Sequence, residues 1–428
     1  MHREKLDILP IELKRKILKT TVFGGNSWMQ YPGQRVQLAL VNRKWKTFVY
    51  SSGEFWSTID AHISMSKAYL MFIADRAIQT NHSAHIEIQS SSRSLWGRKY
   101  MQGTLEEDDA GEWAAWLAPV LKGIISRAHA IQVTCYTERE VQTILVCLDI
   151  ANAAEVDSLV CIAEEGPSEH AAATIPLPHG QLRSLTLHRF SPVLIDAAAC
   201  SNVETLKLAN LTQCLHWPAL RSVLHDCTEI RTLSLENVNC DQLQHGEPVE
   251  MAKVARLTFD FRNKGQLDLA RCIHVPKLEE LELNGNGGTP WAQFADHFSD
   301  VLGQIKRLEF RSNCHSPEFT NIMRQLRDVE TVDVRPGHRF IDSCRGDVDL
   351  SLPYIETRPV LPNLRRWMVS PGLTIIHAHT LFSWPAGGPV TLYEELKAPT
   401  YRTGTRYMAW SKNGDKFDIQ PATWADRL

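Results

Sequence analysis

Leu278-Glu279-Glu280-Leu281-Glu282-Leu283-Asn284-Gly285-Asn286 is the stretch that decides the fold. Apolar residues stand at its first, fourth and sixth positions. The alternation through Leu281 and Leu283 is that of a short strand with one buried face. The φ-x-x-φ-x-φ spacing recurs at Leu182, Leu185, Leu187; Val203, Leu206, Leu208; Ile230, Leu233, Leu235; Val254, Leu257, Phe259; Ile305, Leu308, Phe310; Val329, Val332, Val334; and Leu364, Trp367, Val369. Successive starts from Leu182 lie 21, 27, 24, 24, 27, 24 and 35 residues apart. Weaker copies precede them at Val156, Leu159, Cys161 and around Ile131, Val133 and Ile86, Ile88. A period of this length describes stacked units, none of which buries its apolar face alone.

Between the strands the chain reads often as helix. Thr289-Pro290-Trp291 and Ser316-Pro317-Glu318 each put a capping residue before a proline suited to the first helical turn. Trp291, Phe294, Ala295 and Phe298 then make an apolar stripe, and Trp217 to Leu224 reads the same way.

The array resembles leucine-rich repeats. Asn286 and Asn313 complete the fuller LxxLxLxxN form, while Phe190, Leu211, Val238 and Arg262 stand at the ninth position elsewhere. The resemblance implies an irregular α/β solenoid, a horseshoe with a largely helical convex side, over residues 61–389. The rival, a doubly wound α/β domain, needs longer buried strands and a less regular spacing. In each unit the third and fifth positions face the concave side. They are small in the early repeats and charged later, at Arg256, Glu280, Glu282, Arg307, Glu309, Asp333 and Arg366. Those residues are the candidate substrate-binding patch, and a salt-bridged, solvated sheet face is the alternative. Residues 91–120 interrupt the array. Glu106-Glu107-Asp108-Asp109 reads as an exposed acidic loop, with Trp113, Trp116 and Leu117 docking behind it. Residues 390–428 lose the pattern, and Trp410 and Trp424 suggest a cap over the last sheet edge, or else a tail.

The first sixty residues differ. Leu9-Pro10-Ile11-Glu12-Leu13 opens a helix, with Leu9, Leu13 and Ile17 on one face. Leu38, Val41, Trp45, Phe48 and Val49 give a second helix, and Phe55, Trp56 and Ile59 a third apolar element after Gly53. Three short helices make a marginal core, which a partner can complete. The elements LP-x-E, V-x-R-x-W and FW-S-x-I, in that order, resemble the F-box in its fungal, basidiomycete-type form, with Asn42 where the family usually has Cys and Gly53 where Pro is common.

The resemblance implies a three-helix F-box over residues 5–60, giving a mixed α+β and α/β chain. It implies a Skp-type adaptor, and through it a cullin ligase, as partner. It implies adaptor contacts at Leu9, Pro10, Leu13, Ile17, Leu18, Val41, Trp45, Phe55 and Trp56. The expected function is substrate recognition for a ubiquitin ligase, without catalysis. The alternative is an interaction scaffold whose F-box is degenerate or ligase-independent.

Composition fits this reading. The net charge of −3 divides into +5 over residues 1–60 and −8 over the remainder, so a basic module would be steered toward an acidic partner. No apolar run approaches the ~18 residues of a membrane span, and no signal peptide is visible. The ten cysteines form no CxxC pair and read as reduced thiols of the cytoplasm or nucleus. Gly285-Asn286-Gly287-Gly288 lacks the phosphate-loop patterns, and His377-Ala378-His379 lacks a third metal ligand. The expectation is no metal, no cofactor, no nucleic acid, no membrane and no enzymatic site.

Overall fold

The computed structural model describes residues 12–13, 39–40, 43–90, 107–165, 175–190, 197–211, 215–238, 240–241, 248–261, 265–285, 291–311, 322, 325–334, 366–369, 391–396, 406–413 and 416–422. The chain divides into two compact units, Met1–Leu182 and Arg183–Leu428.

The first unit contains α1 (Arg43–Ser51), a 3-10 turn (Gly53–Phe55), β1 (Thr58–His62), α2 (Lys67–Thr80), β2 (Ala84–Gln89), α3 (Glu107–Ile125), β3 (Ala128–Cys135), α4 (Glu138–Cys147) and β4 (Ser158–Ala163). The strands pair in chain order and in parallel, which requires a crossover between each pair. Local chemistry fixes the crossover helices. The Ser66 hydroxyl accepts from Tyr69 N at the start of α2, and left-handed Asn81 (φ 51°) closes it. Thr137 caps α4 by accepting from Glu140 N. Ile59, Ile86, Ile88, Ile131, Val133 and Leu159 point alternately into one core, with Leu70 and Ile73 of α2 and Leu117 and Leu121 of α3.

Two expectations change here. Glu107, Asp108 and Asp109 belong to α3, not to a loop. Phe55 and Trp56 close a single 3-10 turn rather than a third helix, and Ile59 lies in β1, paired with Ile86. The β-branched run Thr58-Ile59 favours the strand once β2 offers its edge. The ladder therefore starts inside the segment read as the helical module. Trp113 (9% exposed) and Leu117 dock into this core as the spacing suggests.

The second unit contains β5 (Ser184–His188), β6 (Thr205–Ala209), β7 (Leu215–His216), α5 (Trp217–Asp226), β8 (Thr232–Glu236), β9 (Cys240–Asp241), β10 (Val249–Glu250), β11 (Arg256–Asp260), α6 (Gly265–Arg271), β12 (Ile273–His274), β13 (Glu280–Asn284), α7 (Trp291–His297), α8 (Ser299–Leu302), β14 (Arg307–Arg311), β15 (Thr331–Val334), β16 (Arg366–Val369), β17 (Thr391–Leu396), β18 (Arg406–Asn413) and β19 (Lys416–Ala422). Each of the eight repeats found in the sequence begins a strand two residues after its first apolar position. The ladder β5-β6-β8-β11-β13-β14-β15-β16-β17 is parallel throughout, and β18 and β19 close it as antiparallel strands. This is a mixed α/β fold with a solenoid-like parallel sheet of leucine-rich-repeat spacing.

The same backbone device starts β6, β8, β11, β13, β14 and β15. The carbonyl of Arg183 accepts from both Glu204 N and Thr205 N; Glu204, Arg231, Ala255, Glu279 and Lys306 repeat it toward the next strand. Leu185, Leu206, Leu233, Leu257, Leu281 and Leu308 stack in register behind the sheet, each at most 2% exposed. Trp291, Phe294 and Phe298 are buried beside Phe261 and Phe310, with Phe294 and Phe298 stacked at 4.6 Å. The connecting side is helical only in part, because β7 pairs with β9 and β10 with β12 as two-residue parallel bridges. Residues 390–428 contribute β17 to β19, so Trp410 sits on a strand opposite Ile419; Trp424 lies outside the described residues.

Candidate functional site

Odd positions of the strands in the second unit form three rows on the open face of the sheet, in register. The first row runs Ser184, Thr205, Thr232, Arg256, Glu280, Arg307, Thr331, Arg366. The second runs Thr186, Lys207, Ser234, Thr258, Glu282, Glu309, Asp333. A third, not anticipated from the sequence, runs His188, Ala209, Glu236, Asp260, Asn284, Arg311. Residues of one row on neighbouring strands stand about 4.8 Å apart, so charges there are coupled.

The couplings are specific. Lys207 Nζ donates to Glu236 at 2.6 Å, with Ser234 Oγ on the same carboxylate oxygen at 3.0 Å. Arg256 Nε donates to Glu280 at 2.7 Å. Arg311 reaches Glu309 at 2.8 Å and Glu282 at 3.2 Å, so two carboxylates share one guanidinium. Burial pushes the Glu282 carboxyl above its ordinary range, the Glu309 carboxylate adds to this, and Arg311 pulls it part of the way back. Arg307, between Glu280 and Thr331, makes no side-chain hydrogen bond or ion pair among the described residues.

At the C-terminal ends of β5, β6 and β8 the chain turns through left-handed Arg189, Asn210 and Asn237 (φ 61°, 52° and 53°). Asn237 donates to Asn210 at 2.9 Å, and Asn210 lies 2.8 Å from His188 Nε2. The asparagines thus sit one position before that of the LxxLxLxxN form, where Phe190, Leu211 and Val238 are buried instead. A second line of pairs follows the N-terminal side of the strands: Arg183–Glu204 at 3.3 Å, Lys253–Glu229 at 2.5 Å and Lys306–Glu279 at 2.9 Å. These pairs are exposed and energetically minor.

Of the patch expected from the sequence, Arg256, Glu280, Glu282, Arg307 and Glu309 share the open face. Asp333 is there in register but only 1% exposed, which removes it as a surface contact. The backbone of Arg366 continues the first row, and its side chain lies outside the described residues. The sequence reading stopped at the fifth position and so missed Glu236, Asn284 and Arg311; the strand period of two was signal enough to find them.

Of the expected adaptor contacts, Leu9, Pro10, Ile17, Leu18 and Val41 lie outside the described residues. Leu13 is helical and 47% exposed, and Leu40 is 77% exposed. Trp45, Phe55 and Trp56 are buried, with Trp56 Nε1 donating to Val49 O at 2.9 Å. These three are internal packing residues of the first unit. Tyr50, Trp56 and Phe72 meet edge to face, and Arg76 lies 4.7 Å from the Tyr50 ring centre, which ties α1 to α2.

Among the described residues, no group of three or more His, Cys, Asp or Glu could hold a metal ion, and no helix is long and apolar enough to cross a membrane. Cys135, Cys161, Cys200, Cys227 and Cys240 are buried, and burial pushes the Cys135 thiol up to about 12. The glycine-rich stretch from Asn286 and the His377–His379 pair lie outside the described residues.

No family model matches this chain, and no curated protein matches it. Among solved structures it is similar to the leucine-rich repeat-containing protein LegL7 from Legionella pneumophila. The TM-score is 0.35 and the identity 11%, with 79% of this chain and 90% of that chain covered. The repeat assignment rests on this chain's own strand register and spacing.

Proposed function

We propose that this chain is a non-catalytic protein-interaction scaffold. In its finer form it is the substrate-recognition subunit of a Skp–cullin–F-box type ubiquitin ligase. The ladder of the second unit holds a protein substrate on its open face. The N-terminal segment docks a Skp-type adaptor, and the chain contributes proximity and orientation to chemistry done by its partners. The observation that carries the scaffold reading is the parallel ladder with polar and charged rows in register on its open face. The finer reading is supported by the order of the LP-x-E, V-x-R-x-W and FW-S-x-I elements. Leu13 and Leu40, exposed apolar residues in that segment, are consistent with a surface a partner covers. Since Trp45, Phe55 and Trp56 are buried, the docking surface in this reading is narrowed to Leu9, Pro10, Leu13 and their neighbours.

The test is a pull-down of the full chain with purified Skp-type adaptor, comparing wild type with the Leu9→Ala/Pro10→Ala double variant. Retention lost in the variant supports the ligase role. A folded wild-type chain that retains no adaptor leaves the scaffold role and removes the ligase role.

A further inference from the structure

We infer that α1 and α2 present a cationic surface that takes an acidic segment of a partner protein, one bearing glutamate or aspartate. Arg43, Lys46 and Tyr50 recur at three- and four-residue spacing and share one face of α1. Trp45 and Val49 lie on another face and are buried. Arg43, Lys44 and Lys46 are exposed. Arg76 of α2 joins them through the Tyr50 ring. The ring centre lies 4.7 Å from the Arg76 guanidinium carbon and 5.7 Å from Lys46 Nζ. One ring thus gathers two like charges, and its π face offsets only part of their repulsion.

Among the described residues, none of these four cations makes an ion pair. In the second unit, by contrast, Arg183, Lys207, Lys253, Arg256, Lys306 and Arg311 each meet a carboxylate. Asp75, beside Arg76 in α2, is exposed and pairs with none of the four. Arg76 donates from one terminal nitrogen to Gln79 Oε1 at 3.0 Å, and its Nε is buried without a hydrogen-bond partner. A half-buried guanidinium ordinarily has a counter-charge and acceptors for its donors. A carboxylate-bearing segment supplies the charge to all four cations, and a lysine-bearing one is disfavoured by like charge. Nucleic acid fits less well. The chain carries a net charge of −3, and the ring on which a base could stack already has Arg76 over it. This surface is made by other residues than Leu9, Pro10 and Leu13, to which the adaptor is assigned.

The experiment uses the full chain and a fluorescein-labelled peptide of alternating glutamate and serine, read by fluorescence anisotropy. A lysine–serine peptide and a single-stranded DNA oligonucleotide are the counterparts. Saturable binding of the glutamate peptide only is expected. It should weaken about tenfold or more in Arg43→Gln/Lys46→Gln, which alters exposed side chains and leaves the core intact. Arg76→Gln should weaken it and Arg76→Lys retain it, a pattern that packing alone would not give. A control, Lys253→Gln/Lys306→Gln, makes the same charge change at paired lysines of the second unit and should bind as wild type does. No saturable binding, equal binding of both peptides, DNA bound as tightly as the glutamate peptide, or equal loss in the control overturns the inference. So does Arg76→Lys as weak as Arg76→Gln. The Leu9→Ala/Pro10→Ala variant keeps this inference apart from the ligase role. Adaptor lost there with peptide binding intact supports both, and peptide binding lost there places the peptide at the adaptor surface and overturns the inference.

Discussion

Glu282 and Glu309 stand in register on adjacent strands and share the guanidinium of Arg311. The folded-state pKa of Glu282 is raised, so the native chain holds its proton to a higher pH than the unfolded chain. Stability tied to that proton is present below the unfolded value and is lost as pH rises through the folded one. Glu282→Gln should therefore melt about one to two degrees higher than wild type near neutral pH, with the gain fading toward about pH 4. A melting series across pH checks it; an equal gain at both ends would place its cause outside titration.

Gly53 lies against the ring of His82, and a Cβ there would fall 1.5 Å from His82 Cδ2. Gly53→Ala should destabilise by about 1 kcal/mol, limited because exposed His82 can swing aside. Removing the ring in His82→Ala should recover most of that loss. A double-mutant cycle in urea gives the coupling, and additive losses would mean that the ring is not what excludes the methyl group.

Phe294 is fully buried between Phe261 and Phe298, with ring centres 5.2 and 4.6 Å away. Phe294→Ala should cost about 3–5 kcal/mol through the cavity it leaves. Urea unfolding followed by tryptophan fluorescence measures this. A loss below about 1 kcal/mol would show that this cluster is not tightly filled.

Asn237 both adopts the left-handed conformation and donates to Asn210. Asn237→Ala should lose the bond and strain the turn, costing about 1–2 kcal/mol. Asn237→Gly removes the bond alone and should be the milder change. Thermal melts of the pair test the order, and glycine as damaging as alanine would rule out the backbone contribution.

The ladder was legible because leucines at the first, fourth and sixth positions fix where each strand begins whatever the length of the connection. All eight strong repeats fell where the spacing put them. Trp291, Phe294 and Phe298 were legible for the same reason, a helical stripe of large apolar residues. The third polar row was missed because Glu236, Asn284 and Arg311 lie beyond the last leucine of the pattern. Ile59 was misread because an apolar residue after a short helical turn suits a helix or a strand equally, and only pairing with Ile86 decides. Glu107 to Asp109 were misread because a run of carboxylates suits a loop or a helix start, and the buried residues that mark the helix, Trp113, Ala114 and Leu117, stand further along it. The burial of Asp333 could not be inferred from alternation, which gives the face of a residue and not what surrounds it.

The doubly accepting carbonyls at the strand starts make each junction the same joint. Arg183, Glu204, Arg231, Ala255, Glu279 and Lys306 occupy equivalent places, and only their backbone takes part. Such a joint is indifferent to side-chain identity and to the length of chain looped out between one strand and the next. Gene duplication could thus add or delete a whole coil without redesigning its neighbours, leaving the exposed rows free to diversify while the spine is copied unchanged.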